Sequence, residues 1–219
     1  MKNACLALAS FLLASFASAD PVIIDPDGLA EGTDISNAFS GVTLRHYSVI
    51  RDVSAPDGAR VVVDNVYVKE CLSPWDPSTK CGQLGTGHFG YQHPTGAIAS
   101  SFIAQSIYSI SCITTANPGP CKWENHEFLD ASFDFVVEAV TIDATHLSDW
   151  PTAWAFDAAV NQLQINRDIT WHRQCTPTSP PGYCHQTLTV TAVTGQISRV
   201  VFAGLGGYVL LDKLTYTLP

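Results

Sequence analysis

Ala131–Thr145, ASFDFVVEAVTIDAT, is the stretch whose reading decides the fold. It is rich in Val, Ile, Phe and Thr, and apolar residues alternate with polar ones along much of it. That period-two pattern belongs to a strand with one buried face rather than to a helix. Working outward, Gly41–Val53 (GVTLRHYSVIRDV), Ala59–Glu70 (ARVVVDNVYVKE), Ala97–Thr114 (AIASSFIAQSIYSISCIT), Thr152–Ala158 (TAWAFDA), Asn161–Gln174 (NQLQINRDITWHRQ), Gln186–Thr194 (QTLTVTAVT), Ile197–Leu205 (ISRVVFAGL) and Tyr208–Leu218 (YVLLDKLTYTL) share this composition and are separated by turn residues. Only the stretch GLAEGTDISNAFSG, from Gly28 to Gly41, offers a short helical turn. Roughly nine to eleven strands in this pattern predict an all-β, antiparallel two-sheet sandwich.

The N-terminus, MKNACLALASFLLASFASAD, places Lys2 before an apolar run that ends in Ala17-Ser18-Ala19. This is the layout of a secretory signal peptide over residues 1–19, cleaved before Asp20. The apolar run is short for a membrane span, and no later segment offers about 18 uninterrupted apolar residues. The expected mature chain is a single exported, extracellular domain over residues 20–219 with no membrane span.

Loss of the signal peptide removes Cys5 and leaves Cys71, Cys81, Cys112, Cys121, Cys175 and Cys184. These fall into three couples, CLSPWDPSTKC, CITTANPGPC and CTPTSPPGYC, each around a turn that contains proline. Local disulfides 71–81, 112–121 and 175–184 are the economical pairing, each contributing about 2–3 kcal/mol in the chain-entropy model. Metal binding is the alternative, but structural zinc sites favour tighter C-x2-C pairs, and an oxidising compartment favours disulfides. The last couple would then staple a hairpin, with ITWHRQC running in and CHQTLTVTAV running out.

Losing Lys2 leaves ten Lys and Arg against 20 Asp and Glu, a formal charge of -10. That balance argues against nucleic acid and anionic membrane surfaces, both of which need a basic footprint. Fifteen of the acids are Asp, a residue suited to turns and to oxygen-ligand loops. Asp25 and Asp27 flank Pro26, and Asp212 sits in the last strand. A structural calcium tying the chain ends together through these three is one reading of their placement; turn formation by Asp25 and Asp27, with Asp212 paired to Lys213 or a neighbouring strand, is the other.

Catalytic signatures are absent or broken. Gly85–Gly90, GTGHFG, matches G-x-G-x-x-G but lacks the preceding strand and following helix that a dinucleotide site needs. His126–Asp130, HEFLD, has Asp130 where a second metal-binding histidine would stand. There is no G-x-S-x-G elbow. A glycosidase would need two facing carboxylates, and Glu124, Glu127, Glu138 and Asp143 have no distinguishing context. Trp123, Trp154 and Trp171 sit in strand-like runs and are expected in the core. The long irregular segment Cys71–Gly96 gathers Trp75, His88, Tyr91 and His93, and Trp150 sits beside Pro151. These five are the candidate ligand-binding residues, since loop rings can stack on sugars.

Three segments carry a family resemblance: VIIDPDGLAEGTDISNAFSGVTLR (Val22–Arg45), FDFVVEAVTIDAT (Phe133–Thr145) with AWAFDAAVNQL (Ala153–Leu163), and ISRVVFAGLGGYVLLDKLTYT (Ile197–Thr217). In order and spacing they resemble bacterial exported proteins of the PEP-CTERM type. The resemblance implies a jelly-roll β-sandwich similar to galactose-binding and carbohydrate-binding modules, in which first and last strands often come together. Such proteins continue into a Pro-Glu motif, an apolar helix and a basic tail, whereas this chain stops at TYTLP. Exosortase anchoring is therefore not expected; release or assembly outside the cell is. The function expected from these observations is a secreted, non-catalytic binding protein for carbohydrate or extracellular matrix. A structural or adhesive protein that binds copies of itself is the alternative, and a polysaccharide hydrolase or lyase comes third.

Overall fold

A computed structural model describes residues 20–51, 59–70, 85–93, 95–99, 101–104, 126–146, 150–160, 162–167, 184–192, 196–205 and 209–219. The expected signal peptide, five of the six mature cysteines (71, 81, 112, 121 and 175), and Trp75, Trp123 and Trp171 lie outside these residues. Fourteen strands form among them: β1 (Val22–Ile24), β2 (Val42–Arg51), β3 (Ala59–Asp64), β4 (Val66–Glu70), β5 (Gly87–Gln92), β6 (Ile98–Ala99), β7 (Ser101–Ala104), β8 (His126–Val137), β9 (Ala139–His146), β10 (Trp150–Phe156), β11 (Gln162–Arg167), β12 (Cys184–Thr191), β13 (Ile197–Leu205) and β14 (Val209–Thr217). No helix occurs among the described residues, so none is long and apolar enough to cross a membrane.

The strands form an antiparallel row β3-β2-β8-β13-β10-β11 and a second row β12-β9-β14. Strand β7 joins the rows, running parallel to β13 and antiparallel to β14. A small sheet, β4-β5-β6, stands beside them. This all-β arrangement is consistent with a β-sandwich. Leu44, Leu129, Ala131, Val200 and Phe202 bury one inner face, Val140, Ile142, Leu211 and Leu214 the other, and Val66, Val68 and Phe89 come from the small sheet.

Several expectations are corrected. The decisive stretch is two strands rather than one, since the chain bends at exposed Glu138 between β8 and β9. Residues 87–92 of the supposed irregular segment are strand β5, in which Val66 pairs with Tyr91 and Lys69 with His88. The incoming strand and turn of the hairpin expected around Cys175 and Cys184 lie outside the described residues; its outgoing strand, β12, pairs with β9.

In β14 a bulge at Lys213, with φ of 42°, separates the pairs Asp212–Asp143 and Leu214–Ile142. The extra residue keeps Leu211, Leu214 and Tyr216 on the core face; a one-residue slip would turn the latter pair outward. At Gly41, with φ of 71°, an added Cβ would come 2.4 Å from Phe135 Cε1, so only glycine fits there.

Candidate functional site

A strand alternates its side chains between faces, so register alone assigns the outer face of the larger row. There Tyr47 stands opposite Phe128, and Arg45 opposite Asp130, which faces Val201, which in turn faces Trp154. In the next rung Thr43, Ser132, Arg199 and Phe156 follow one another across four strands. Four part-buried rings, two arginines and the Asp130 carboxylate thus share a single face, with exposed Asp134 following Ser132 on the same side of β8.

The guanidinium of Arg199 organises them. Its Nε donates to Asp130 Oδ2 at 2.5 Å, and its Cζ lies 5.7 Å from the centre of the Tyr47 ring and 5.7 Å from that of Phe156. Ser132 Oγ donates to Asp130 Oδ1 at 3.0 Å. Burial raises the Asp130 carboxyl, while Arg199, Ser132 and Arg45 pull it back. Phe128 and Trp154 meet edge to face, 6.4 Å between centres. Arg45 donates to the Leu44 carbonyl at 2.9 Å and to Asn37 Oδ1 at 3.5 Å.

On the inner face the same strands carry His46, Ser48 and Glu127, all buried. Tyr91 reaches over from β5, stacks on the His46 ring at 3.9 Å and donates its hydroxyl to Glu127 Oε2. Burial pushes Glu127 up to about 7, against the Tyr91 hydrogen bond, and pushes His46 down to about 4. Asp64, 4.0 Å from His46 Nδ1, is the carboxylate near that ring. This cluster is closed into the interior.

Of the five expected ligand residues, the structure places His88 and Tyr91 in the interior, not on an exposed edge. His93 is part-exposed, and its Nδ1 shares a contact with the Thr95 hydroxyl at 3.0 Å. Trp150 opens β10, and Trp75 is outside the described residues, so the loop edge is not assembled from them. Trp154, expected in the core, lies on the outer face, while Ala153 and Ala155 face inward and are fully buried. The alternation in TAWAFDA was visible; which of its two faces turned inward was not.

The three aspartates have separate employments. Asp27 Oδ1 accepts from the backbone N–H groups of Thr86 at 2.6 Å and Gly87 at 2.7 Å. This explains the glycine-rich GTGHFG: an added Cβ at Gly87 would meet the Pro26 carbonyl oxygen at 2.5 Å, so the stretch cradles a carboxylate of its own chain. Asp25 Oδ1 accepts from Asp27 N–H at 2.9 Å. Asp212 is buried with its Oδ2 3.6 Å from His88 Nδ1, and the Lys213 N–H donates to its Oδ1 at 2.8 Å. Its carboxyl is raised by burial, with His88 and Lys213 lowering it and Asp25 adding to the rise. Among the described residues, no three His, Cys, Asp or Glu side chains form a group able to hold a metal.

The fold and face together describe an all-β domain with an aromatic and arginine-bearing sheet surface. No protein-family model matches the chain, and no curated protein matches it. Among solved structures it is similar to the K2 cleaved adhesin domain of Lys-gingipain, at 10% identity over 91% of this chain and 100% of that one, with a TM-score of 0.43. It is also similar to the K1 cleaved adhesin domain of Lys-gingipain from Porphyromonas gingivalis W83, at 11% identity over 92% and 99% of the two chains, with a TM-score of 0.30.

Proposed function

We propose that this chain is a secreted, non-catalytic jelly-roll domain that binds carbohydrate, and that the outer face of the β3-β2-β8-β13-β10-β11 row is its binding surface. The carrying observation is that Tyr47 and Phe156 flank Arg199 while Phe128 and Trp154 meet edge to face on the same face. Part-exposed rings offer flat apolar area for sugar rings, and the polar groups between them fix orientation. The raised carboxyls fit this reading better than hydrolysis: Glu127 is held by Tyr91 inside, Asp130 by Arg199 outside, and Asp212 sits beside His88. A glycan array probed with the full chain tests the proposal, and Trp154→Ala should abolish the signal while the chain remains folded. An array with no signal, together with a concentration-dependent oligomer in sedimentation, would favour the self-associating surface protein instead. Reducing-sugar release from a polysaccharide panel would replace both with a hydrolase.

Two finer parts belong to the same proposal. Disulfides 71–81, 112–121 and 175–184 should leave no free thiol in exported protein, as peptide mapping would show. A calcium ion held by Asp25, Asp27 and Asp212 would take Asp27 through Oδ2, since Oδ1 accepts from the 86–87 backbone, and calcium prefers six to eight oxygens, so carbonyls and water would have to join. Equal melting temperatures in chelator and in millimolar calcium would remove the ion from the account.

A further inference from the structure

Resting on the carbohydrate reading above, we infer that the ligand is an acidic polysaccharide, with Arg199 as its anion contact and Tyr47, Phe156 and Trp154 as its stacking platform. The guanidinium already has its orientation. Nε is committed to Asp130, the rings of Tyr47 and Phe156 stand 5.7 Å from it, and the side chain is 33% exposed. Among the described residues its two Nη nitrogens have no hydrogen-bond acceptor, and together they carry four N–H donors on a planar fork that Asp130 orients. A carboxylate or sulfate ester accepts from such a fork through two parallel bonds, which a neutral hydroxyl cannot match.

Charge points the same way. The chain has a formal charge of -9, and on this face Arg45 is engaged by Asn37 and Asp34 while exposed Asp134 follows Ser132 on the same side of β8, so Arg199 is the cation beside the rings. The carboxylate between the two arginines, Asp130, has a side chain only 2% exposed, so it positions Arg199 without offering its own charge to solvent. The Arg199 fork beside the Tyr47 and Phe156 rings is thus a local point suited to an anionic group, whereas a neutral glucan would use the rings and leave its donors unanswered.

The experiment measures binding of the full chain to polygalacturonate, dextran sulfate and neutral dextran at low and high salt. The two charged polymers separate a carboxylate ligand from a sulfate one. At least one of them should bind about tenfold or more tightly than dextran, with affinity falling as salt rises. Arg199→Gln should weaken that binding roughly tenfold to a hundredfold, the scale of a hydrogen bond to a charged group. Because that change strips Asp130 of its partner, the double variant Asp130→Asn with Arg199→Gln is measured beside it. It should lose binding equally while its melting temperature stays near that of the parent. Equal affinity for dextran, or undiminished binding by the folded double variant, would overturn the inference and leave the carbohydrate reading standing. If the parent binds neutral and charged polymers not at all, and the glycan array is also blank, both fall together.

Discussion

Glu127 and Asp130 stand three positions apart on β8 and therefore face opposite sides of one sheet. Both are buried, and burial raises both carboxyls. Their partners differ. Among the described residues Glu127 meets only a neutral phenol, itself stacked on His46, and burial pushes it up to about 7 against that hydrogen bond. Asp130 meets a guanidinium that draws it back toward the charged form. The comparison teaches that burial sets the direction of the shift and the partner decides whether a charge survives; only the outer carboxylate anchors a cation that a ligand could use.

The largest effect that could break this contrast is expected on the inner side. Tyr91→Ala removes the ring stacked on His46 and the hydroxyl on Glu127 and should cost about 3–5 kcal/mol, read by denaturant unfolding. A loss below about 1 kcal/mol would mean the inner cluster is not part of the core.

The pH dependence is next. The folded-state pKa of Glu127 lies above its ordinary 4.5, so its stabilisation is complete below about 4.5 and is lost as pH rises through about 7. That of His46 lies below 6.5, so its contribution is complete above about 6.5 and is lost as pH falls through about 4. These two groups together place greatest stability between about 4.5 and 6.5. The Glu127 limb amounts to about 3 kcal/mol at most, and Glu127→Gln should flatten it. An unchanged alkaline limb in that variant would assign the effect elsewhere.

On the outer side Arg199→Gln should cost less, about 1–2 kcal/mol, because the arginine is partly solvated and the pair is screened. The cost should shrink at acid pH, where Asp130 takes up a proton and needs no cation. Smallest is Ser132→Ala, which removes one hydrogen bond to Asp130 and should cost about 1 kcal/mol. Its effect should largely vanish in an Asp130→Asn background if the hydroxyl acts through that carboxylate.

Much of the fold was legible because alternation and turn residues report directly on strands: Gly41–Val53, Gln186–Thr194 and Ile197–Leu205 all contain strands where expected. GHFGYQ was not, since its glycines and histidine suggest a loop, and only the close approach of Pro26 to Gly87 and of the Ala99 carbonyl to Gly90 explains why glycine is needed there. The candidate site was missed for a different reason. In TAWAFDA size suggested that Trp154 would turn inward, but Ala153 and Ala155 occupy the inner face and the large rings lie outside.

By itself, then, the sequence determined that this is a strand-built, acidic chain with no recognisable catalytic motif, because period, composition and charge are local properties of the string. Only the tertiary structure decided that Glu127 lies under Tyr91, that Asp27 is held by the glycine-rich stretch, and that Arg199 lies between Tyr47 and Phe156. A strand's pattern says that two faces differ without saying which one is covered. That choice is made when distant strands pair in register, and the residues of each cluster come from strands far apart in the chain.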